Sequence, residues 1–405
     1  MIINVYPPRD GAADARFEML MQQMDHASET RRKIRCLPAE WAPQSGVQLT
    51  WPHEDTDWAD RLEEVTETYL RMAFEIAKRE PLIIVTPKPD EVETLLRQRM
   101  PKAALEQISL FECPTDDTWA RDHGFITIED TDGLHLMDFR FNGWGGKFPA
   151  EHDDAINARL AQSGMFCGLY DSALDFELEG GAIESDGAGT LLTTAACLLN
   201  PNRRRRGDAV STPDKAAVER LLGERLGAKR VLWLHHGYLA GDDTDSHIDT
   251  LARLCPNQTI AYVKCEDTAD EHYAELHAME EELMAFRTAE GEPYRLLPLP
   301  MPAPCLLDDE RLPATYANFL ILNDAVLVPV YAQPQTDEVA LRQIAKAFPG
   351  RDIVGIDCRT LIVQHGSLHC CTMQFPRGVF GMGLGEQRPE TSSPAMTKEQ
   401  QDAES

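Results

Sequence analysis

Four short runs of this 405-residue chain hold side chains able to do chemistry on a small polar molecule. The first is Asp116-Asp117-Thr118-Trp119-Ala120-Arg121-Asp122-His123-Gly124. A carboxylate near an indole is costly to bury unless a cation or several donors meet it. A guanidinium ligand would suit Asp122, because its planar fork of N–H donors matches a carboxylate edge. On extended backbone, Trp119 and Arg121 would share one face and Asp122 the other. The plainer reading is a structural Asp–Arg pair at a strand end. The second run, Glu177-Leu178-Glu179-Gly180-Gly181, puts two glycines after an acid. That permits close approach of a ligand or a second backbone, although alone it reads as a tight turn.

The third run, Gly241-Asp242-Asp243-Thr244-Asp245-Ser246-His247-Ile248-Asp249, crowds acids around one histidine. Extended backbone would set His247 and Asp249 side by side, a proton carrier beside a carboxylate. With His235 and His236 upstream, the residues Asp243, Asp245, His247 and Asp249 also fit a divalent-metal hydrolase, and a solvated acidic loop is the third reading. The fourth run, Gln364-His365-Gly366-Ser367-Leu368-His369-Cys370-Cys371-Thr372, offers a thiol near the chain end. A nucleophilic cysteine needs a histidine near it in space rather than in sequence. Adjacent strand residues face opposite ways, so only one of the two cysteines enters a pocket, and spacing alone does not choose between them. The default for either is a buried structural thiol.

The elements that position these runs alternate between helix and strand. Leu62, Val65, Tyr69, Met72 and Ile76 recur at helical spacing ahead of a buried strand at Leu82–Val85. Ser211, Thr212 and Pro213 cap a helix that ends at Gly227 before a strand at Val231–Leu234. Further helices are expected over Glu271–Phe286 and Glu338–Phe348, and a strand over Ile353–Ile356. Asn323-Asp324 joins Phe319–Leu322 to Ala325–Val330 as a hairpin. Polar residues at Asp122, Glu179, His247, Asn318 and Cys370 recur at intervals of 57, 68, 71 and 52 residues, each following a strand-like segment. That rhythm suggests a radial repeat around a central pocket. We expect an α/β chain with a single catalytic domain over 31–380, an extension over 1–30 and a flexible tail over 381–405.

Composition narrows the function. With 39 Lys and Arg against 67 Asp and Glu, the formal charge is −28, which argues against nucleic acid and favours cationic ligands. The run Arg203–Arg206 reads as an exposed loop. No signal peptide and no membrane span is expected. The ten scattered cysteines read as reduced thiols in a cytoplasmic protein.

Taken jointly, the motifs resemble the agmatine deiminase branch of the peptidyl-arginine deiminase superfamily from about Leu37 to Pro376. The matching pieces are Leu37-Pro38-Ala39-Glu40-Trp41, Trp51-Pro52-His53, Asp-x-Trp-x-Arg-Asp at Asp117–Asp122, and Phe141-Asn142-Gly143-Trp144-Gly145-Gly146-Lys147. Glu179-Gly180-Gly181, Asp186–Thr190, Leu199-Asn200-Pro201-Asn202-Arg203, His247-x-Asp249 and His369-Cys370 continue the series in order. The resemblance implies a five-bladed pseudo-symmetric α/β propeller with the site on its axis. It implies Cys370 as nucleophile, His247 as general acid/base, Asp122 and Asp249 as guanidinium-binding carboxylates, and Glu179 as the partner orienting His247. Trp119 and Trp144 would wall the substrate's alkyl chain. The implied reaction is cofactor-free and metal-free hydrolysis of agmatine, with free or peptidyl arginine as the alternative substrate, in a chain compatible with homo-oligomers. Two departures stand out. The family commonly has Gly-Gly-Gly-Asn where this chain has Gln364-His365-Gly366-Ser367, and often has an acid where Ala195-Ala196 follows Thr194.

Overall fold

The computed structural model describes residues 35–203 and 214–380. The expected extension, the expected tail, Arg204–Arg206 and the Ser211–Pro213 cap lie outside the described residues. Where the described chain resumes, the Asp214 side chain accepts from the Ala216 amide and caps the helix Lys215–Leu226, which closes at left-handed Gly227.

Five sheets carry the fold, and each has the same internal order. An antiparallel pair comes first, and a parallel strand is then added across a helical connection. The strand sets Ile126–Asp130, Gly133–Arg140 and Leu169–Glu177, then Ile183–Ser185, Thr190–Thr194 and Arg230–Leu234, follow it. So do Ala252–Cys255, Thr259–Lys264 and Arg295–Pro300, and Leu320–Ile321, Ala325–Val330 and Asp352–Asp357. The fifth sheet joins the two ends of the described chain. Thr372–Pro376 pairs antiparallel with Gln44–Thr50, which pairs parallel with Leu82–Thr86, followed by Ile108–Glu112. Long connections are obligatory for parallel pairs, and the helices Leu62–Ala77, Tyr273–Ala285 and Pro334–Ala347 supply three of them. The architecture is α/β.

Hydrophobic spacing explains how the helices dock. Val65, Tyr69, Met72 and Ile76 form the buried face of Leu62–Ala77 and pack into the main core with the strand residues Leu82 and Ile84. The hairpin at Asn323-Asp324 forms as its sequence suggests, with Leu320 opposite Leu327. The periodic polar residues sit differently from the expectation. Asp122, Glu179, Asp249, Asn318 and Cys370 each lie within four residues ahead of the opening strand of a sheet. A residue just before a strand is fixed by that strand's pairing, yet keeps backbone freedom to turn its side chain away from the ladder. One repeated position thus delivers five polar side chains of four kinds.

Candidate active site

Asp122 is not on extended backbone. Ala120–His123 is one short helical turn, so Asp122 and Arg121 diverge instead of alternating across a strand. The turn forms because the Asp117 carboxylate accepts from the Thr118 amide at 2.8 Å and from the Trp119 indole at 2.9 Å, pulling the chain round. Arg121 then reaches Glu40 at 3.0 Å, while Asp122 accepts from the Trp144 indole and from the Gly181 amide, each at 2.9 Å. Gly181 is required there: a Cβ would stand 2.7 Å from His247 Nδ1 and 2.8 Å from Asp122 Oδ1.

His247 and Asp249 are likewise not on a strand. Asp245 and Ser246 both adopt left-handed backbone, and a single turn at Ile248–Thr250 follows. That kinked entry buries both side chains completely. His247 Nδ1 lies 3.6 Å from Asp122 Oδ1, and neither ring nitrogen has a hydrogen-bond partner. Glu179 is directed at Arg203, whose Nε donates to it at 2.8 Å, leaving its second oxygen without a partner. The expected orienting bond from Glu179 to His247 is therefore not formed, although the two side chains and the Cys197 thiol lie within 4.8 Å of one another.

Cys370 and Cys371 part company in a turn ahead of the strand Thr372–Pro376. Cys371 is enclosed in the core beside the Tyr69 hydroxyl. The Cys370 sulfur borders the cavity, 3.2 Å from Asn318 Nδ2 and 3.7 Å from Asp249 Oδ2. Asp249 also accepts from His369 Nδ1 at 2.8 Å. His369 Nε2 lies 2.9 and 3.0 Å from the two Glu40 oxygens and 3.0 Å from Arg253, which in turn pairs with Glu40 and Glu184.

Above Cys370 lies a cavity of about 380 Å³, with Trp119, Trp144 and Phe148 as apolar walls and Asp122 at its inner end. A larger cleft of about 1000 Å³, beside Pro298–Pro304, contains none of these residues and has no nucleophile paired with a histidine. Burial dominates the electrostatics of the inner site. It raises the Cys370 thiol well above its ordinary range, and Asp249 and Asp122 push it further. It raises Asp122 well above the usual carboxylate range, helped by Asp249. It lowers His247 to about 3. Asp249 goes the other way: burial opposes it, but the bond to His369 and the charges of His369, His247 and Arg253 hold it low. Burial thus disfavours the thiolate at Cys370, the imidazolium at His247 and the carboxylate at Asp122, while Asp249 is favoured as the ionised acid.

The residues of the metal-hydrolase reading do not converge. His236 faces Glu275 at 3.3 Å and Asp245 is bound to Arg203, both apart from Cys370. Among the described residues, the groups close enough to share an ion are Glu179–Cys197–His247 and Glu40–Glu184–His369. Each already holds an arginine cation, Arg203 in the first and Arg253 in the second. Sequence reasoning missed His369, Arg253 and Asn318 as members of the site; the recurrence of Asn318 at the repeated position was the available signal.

A family model described as Porphyromonas-type peptidyl-arginine deiminase matches residues 36–376. The agmatine deiminase of Stutzerimonas stutzeri (strain A1501) is 31% identical over 366 residues, which span 84% of this chain and 95% of that one. A Porphyromonas gingivalis structure, provisionally described as an arginine deiminase, is 51% identical with a TM-score of 0.79, covering 86% of this chain and all of that one. The C. jejuni agmatine deiminase, solved as a cysteine-to-serine variant with substrate bound, is 37% identical with a TM-score of 0.78 over 85% of this chain and 97% of its own. Fold and relatives together define an α/β hydrolase acting on a guanidino carbon–nitrogen bond. Within that class, the chain belongs to the Porphyromonas-type peptidyl-arginine deiminase family. Among the described residues no helix is long and apolar enough to cross a membrane.

Proposed function

We propose that this chain is an agmatine deiminase, converting agmatine and water to N-carbamoylputrescine and ammonia, with Cys370 as nucleophile. The observation that carries the reading is that Cys370 and Asp122 line one cavity with aromatic walls, with Asp249 3.7 Å from the Cys370 sulfur and His247 3.6 Å from Asp122. The agmatine deiminases among its relatives, one of them a cysteine-to-serine variant with substrate bound, support it.

The chemistry follows from the burial of the thiol and the acids. A guanidinium entering between Asp122 and Asp249 supplies positive charge beside a buried thiol and a buried acid that both resist ionising. It draws the proton off Asp122 and lowers the cost of a thiolate at Cys370. Cys370 passes its proton to His247 and attacks the guanidinium carbon. His247 then protonates the departing nitrogen, which leaves as ammonia, and a thiouronium remains on the sulfur. Water, losing a proton to His247, attacks the same carbon, and the carbon–sulfur bond breaks to give the urea product and the free thiol. Positive charge is retained on the reacting carbon, so carboxylates take the place that N–H donors hold in acyl transfer. In this reading Glu179 acts on His247 through the field it shares with Arg203, and Trp119 and Trp144 hold the alkyl chain.

The five equivalent sheets, with the first and last strands joined, support a five-bladed propeller whose axis runs through the cavity. Residues 31–380 then form one catalytic unit, soluble in the cytoplasm and compatible with homo-oligomers. The P. gingivalis relative at 51% identity favours free arginine as a second reading. Ammonia release from agmatine, arginine and a capped arginine peptide decides between them. Turnover of agmatine at least about a hundredfold above arginine in kcat/KM supports the proposal, and the reverse order overturns it.

A further inference from the structure

The outer half of the cavity is built by a strap, Gln364-His365-Gly366, that is pinned at three points. Gln364 Nε2 donates to the Asp57 carbonyl at 2.8 Å, on one side of the opening. His365 Nδ1 lies 2.7 Å from the Gly241 carbonyl on the other. Between them Gly366 lies flat on the Trp119 ring, where a Cβ would stand 2.1 Å from Cζ3. His365 itself adopts φ 65°, ψ −6°, a left-handed conformation that disfavours a residue with a Cβ. Such a conformation persists only where the surroundings fix it, and here it sets an imidazole into the wall of the cavity.

The bond to Gly241 decides what that imidazole offers. A carbonyl oxygen only accepts, so Nδ1 carries the ring proton. In the neutral ring Nε2 is then a lone-pair acceptor, and among the described residues Nε2 has no hydrogen-bond partner. Around the same opening stand Asp57, exposed and without an ion-pair partner among the described residues, and Asp243, half-buried, with Lys147 bound to its carbonyl. The outer cavity thus offers one imidazole acceptor and two carboxylates. A carboxylate at the far end of a ligand would face two carboxylates and an imidazole lone pair there, and the Lys147 ammonium is already bound to Asp245 and the Asp243 carbonyl. A primary ammonium, with three N–H groups, would meet acceptors for all of them.

We propose that His365, with Asp243 and Asp57, is the specificity-determining group that reads a protonated primary amine at the far end of the substrate's alkyl chain. This rests on the reading of Cys370 as the nucleophile of a guanidinium hydrolase. It assigns the altered segment 364–367 a role in recognition rather than in the bond-breaking step.

The test compares agmatine with a monoalkylguanidine of equal chain length that lacks the amine. KM and kcat are measured for both on the wild-type chain and on the His365→Gly and Asp243→Asn variants. Glycine suits φ 65°, so His365→Gly removes the imidazole without adding backbone strain. The expected result is a rise of about tenfold in the ratio of the agmatine KM to the alkylguanidine KM, the loss of one hydrogen bond to a charged group. Asp243→Asn should raise the same ratio. An equal effect on both substrates would mean a structural strap and overturn the proposal, as would a ratio that does not move. The underlying reading fails separately: a wild-type chain that releases ammonia from neither guanidine would sink it, whereas equal turnover of both removes only the amine reader.

Discussion

Two histidines bear on the same carboxylate, Asp249, and are treated in opposite ways. His369 is saturated: Nδ1 meets Asp249, and Nε2 meets Glu40 and Arg253. His247 is equally buried, and neither nitrogen has a partner. An unpartnered buried polar atom costs about 1–3 kcal/mol, so the His247 arrangement is unfavourable for the empty protein. The difference teaches how this fold divides labour. One cluster is complete without ligand and fixes the geometry of Asp249; the other is left incomplete, and a bound cation with a reacting sulfur completes it.

The sharpest way to break that contrast is to remove each ring in turn. His247→Leu should lower kcat by about 10³–10⁴-fold while leaving Tm unchanged or raised, because it deletes unpaired polar atoms along with the proton carrier. Steady-state ammonia release and calorimetry on the same preparation check both halves. On the saturated side, Arg253→Met leaves Glu184 in the core without its cation and takes from Glu40 one of its partners, with Arg121 and His369 remaining. It should cost about 3–5 kcal/mol of stability, read from the denaturant midpoint. His369→Asn retains a donor near the Nδ1 position and should hold kcat within about tenfold of wild type. His369→Leu, which leaves Asp249 without its donor, should fall further. A reversal of that order would remove the positioning role of the Nδ1 bond.

Proton uptake offers a gentler probe. Burial and Asp249 hold the Asp122 pKa above the ordinary carboxylate range, so the empty site carries that proton. Binding a guanidinium must expel it. Affinity for agmatine should therefore improve as pH rises from the ordinary carboxylate range through the raised pKa, and calorimetry in two buffers of different ionisation heat should register proton release. Asp122→Asn should abolish that release. At the small end, Cys371→Ser, enclosed beside Tyr69, should change kcat less than about threefold.

Local pattern made part of this site legible. Asp122, Glu179, His247, Asn318 and Cys370 stood out by recurrence, the family resemblance added Asp249 and chose Cys370 over Cys371, and periodicity marked the helix Leu62–Ala77 and the hairpin at Asn323-Asp324. What escaped was set by contacts remote in sequence. Glu40 and His369 are 329 residues apart, and their pairing depends on the last strand returning to the first. Arg253 carries no local signal, yet it is fully buried between two acids. Read as extended, the segments at Asp122 and His247 are turns instead, because Asp117 binds Trp119 and because Asp245 and Ser246 adopt left-handed backbone. Glu179 was expected against His247; the guanidinium of Arg203 holds it instead.

The most direct measurement is mass spectrometry of the protein after reaction with a haloacetamidine, a guanidinium mimic with a displaceable halide. Stoichiometric modification at Cys370 alone, slowed by agmatine and lost in His247→Leu, is the expected result. Modification at Cys371 or at a surface thiol, indifferent to agmatine, would contradict the assignment of Cys370 as the nucleophile.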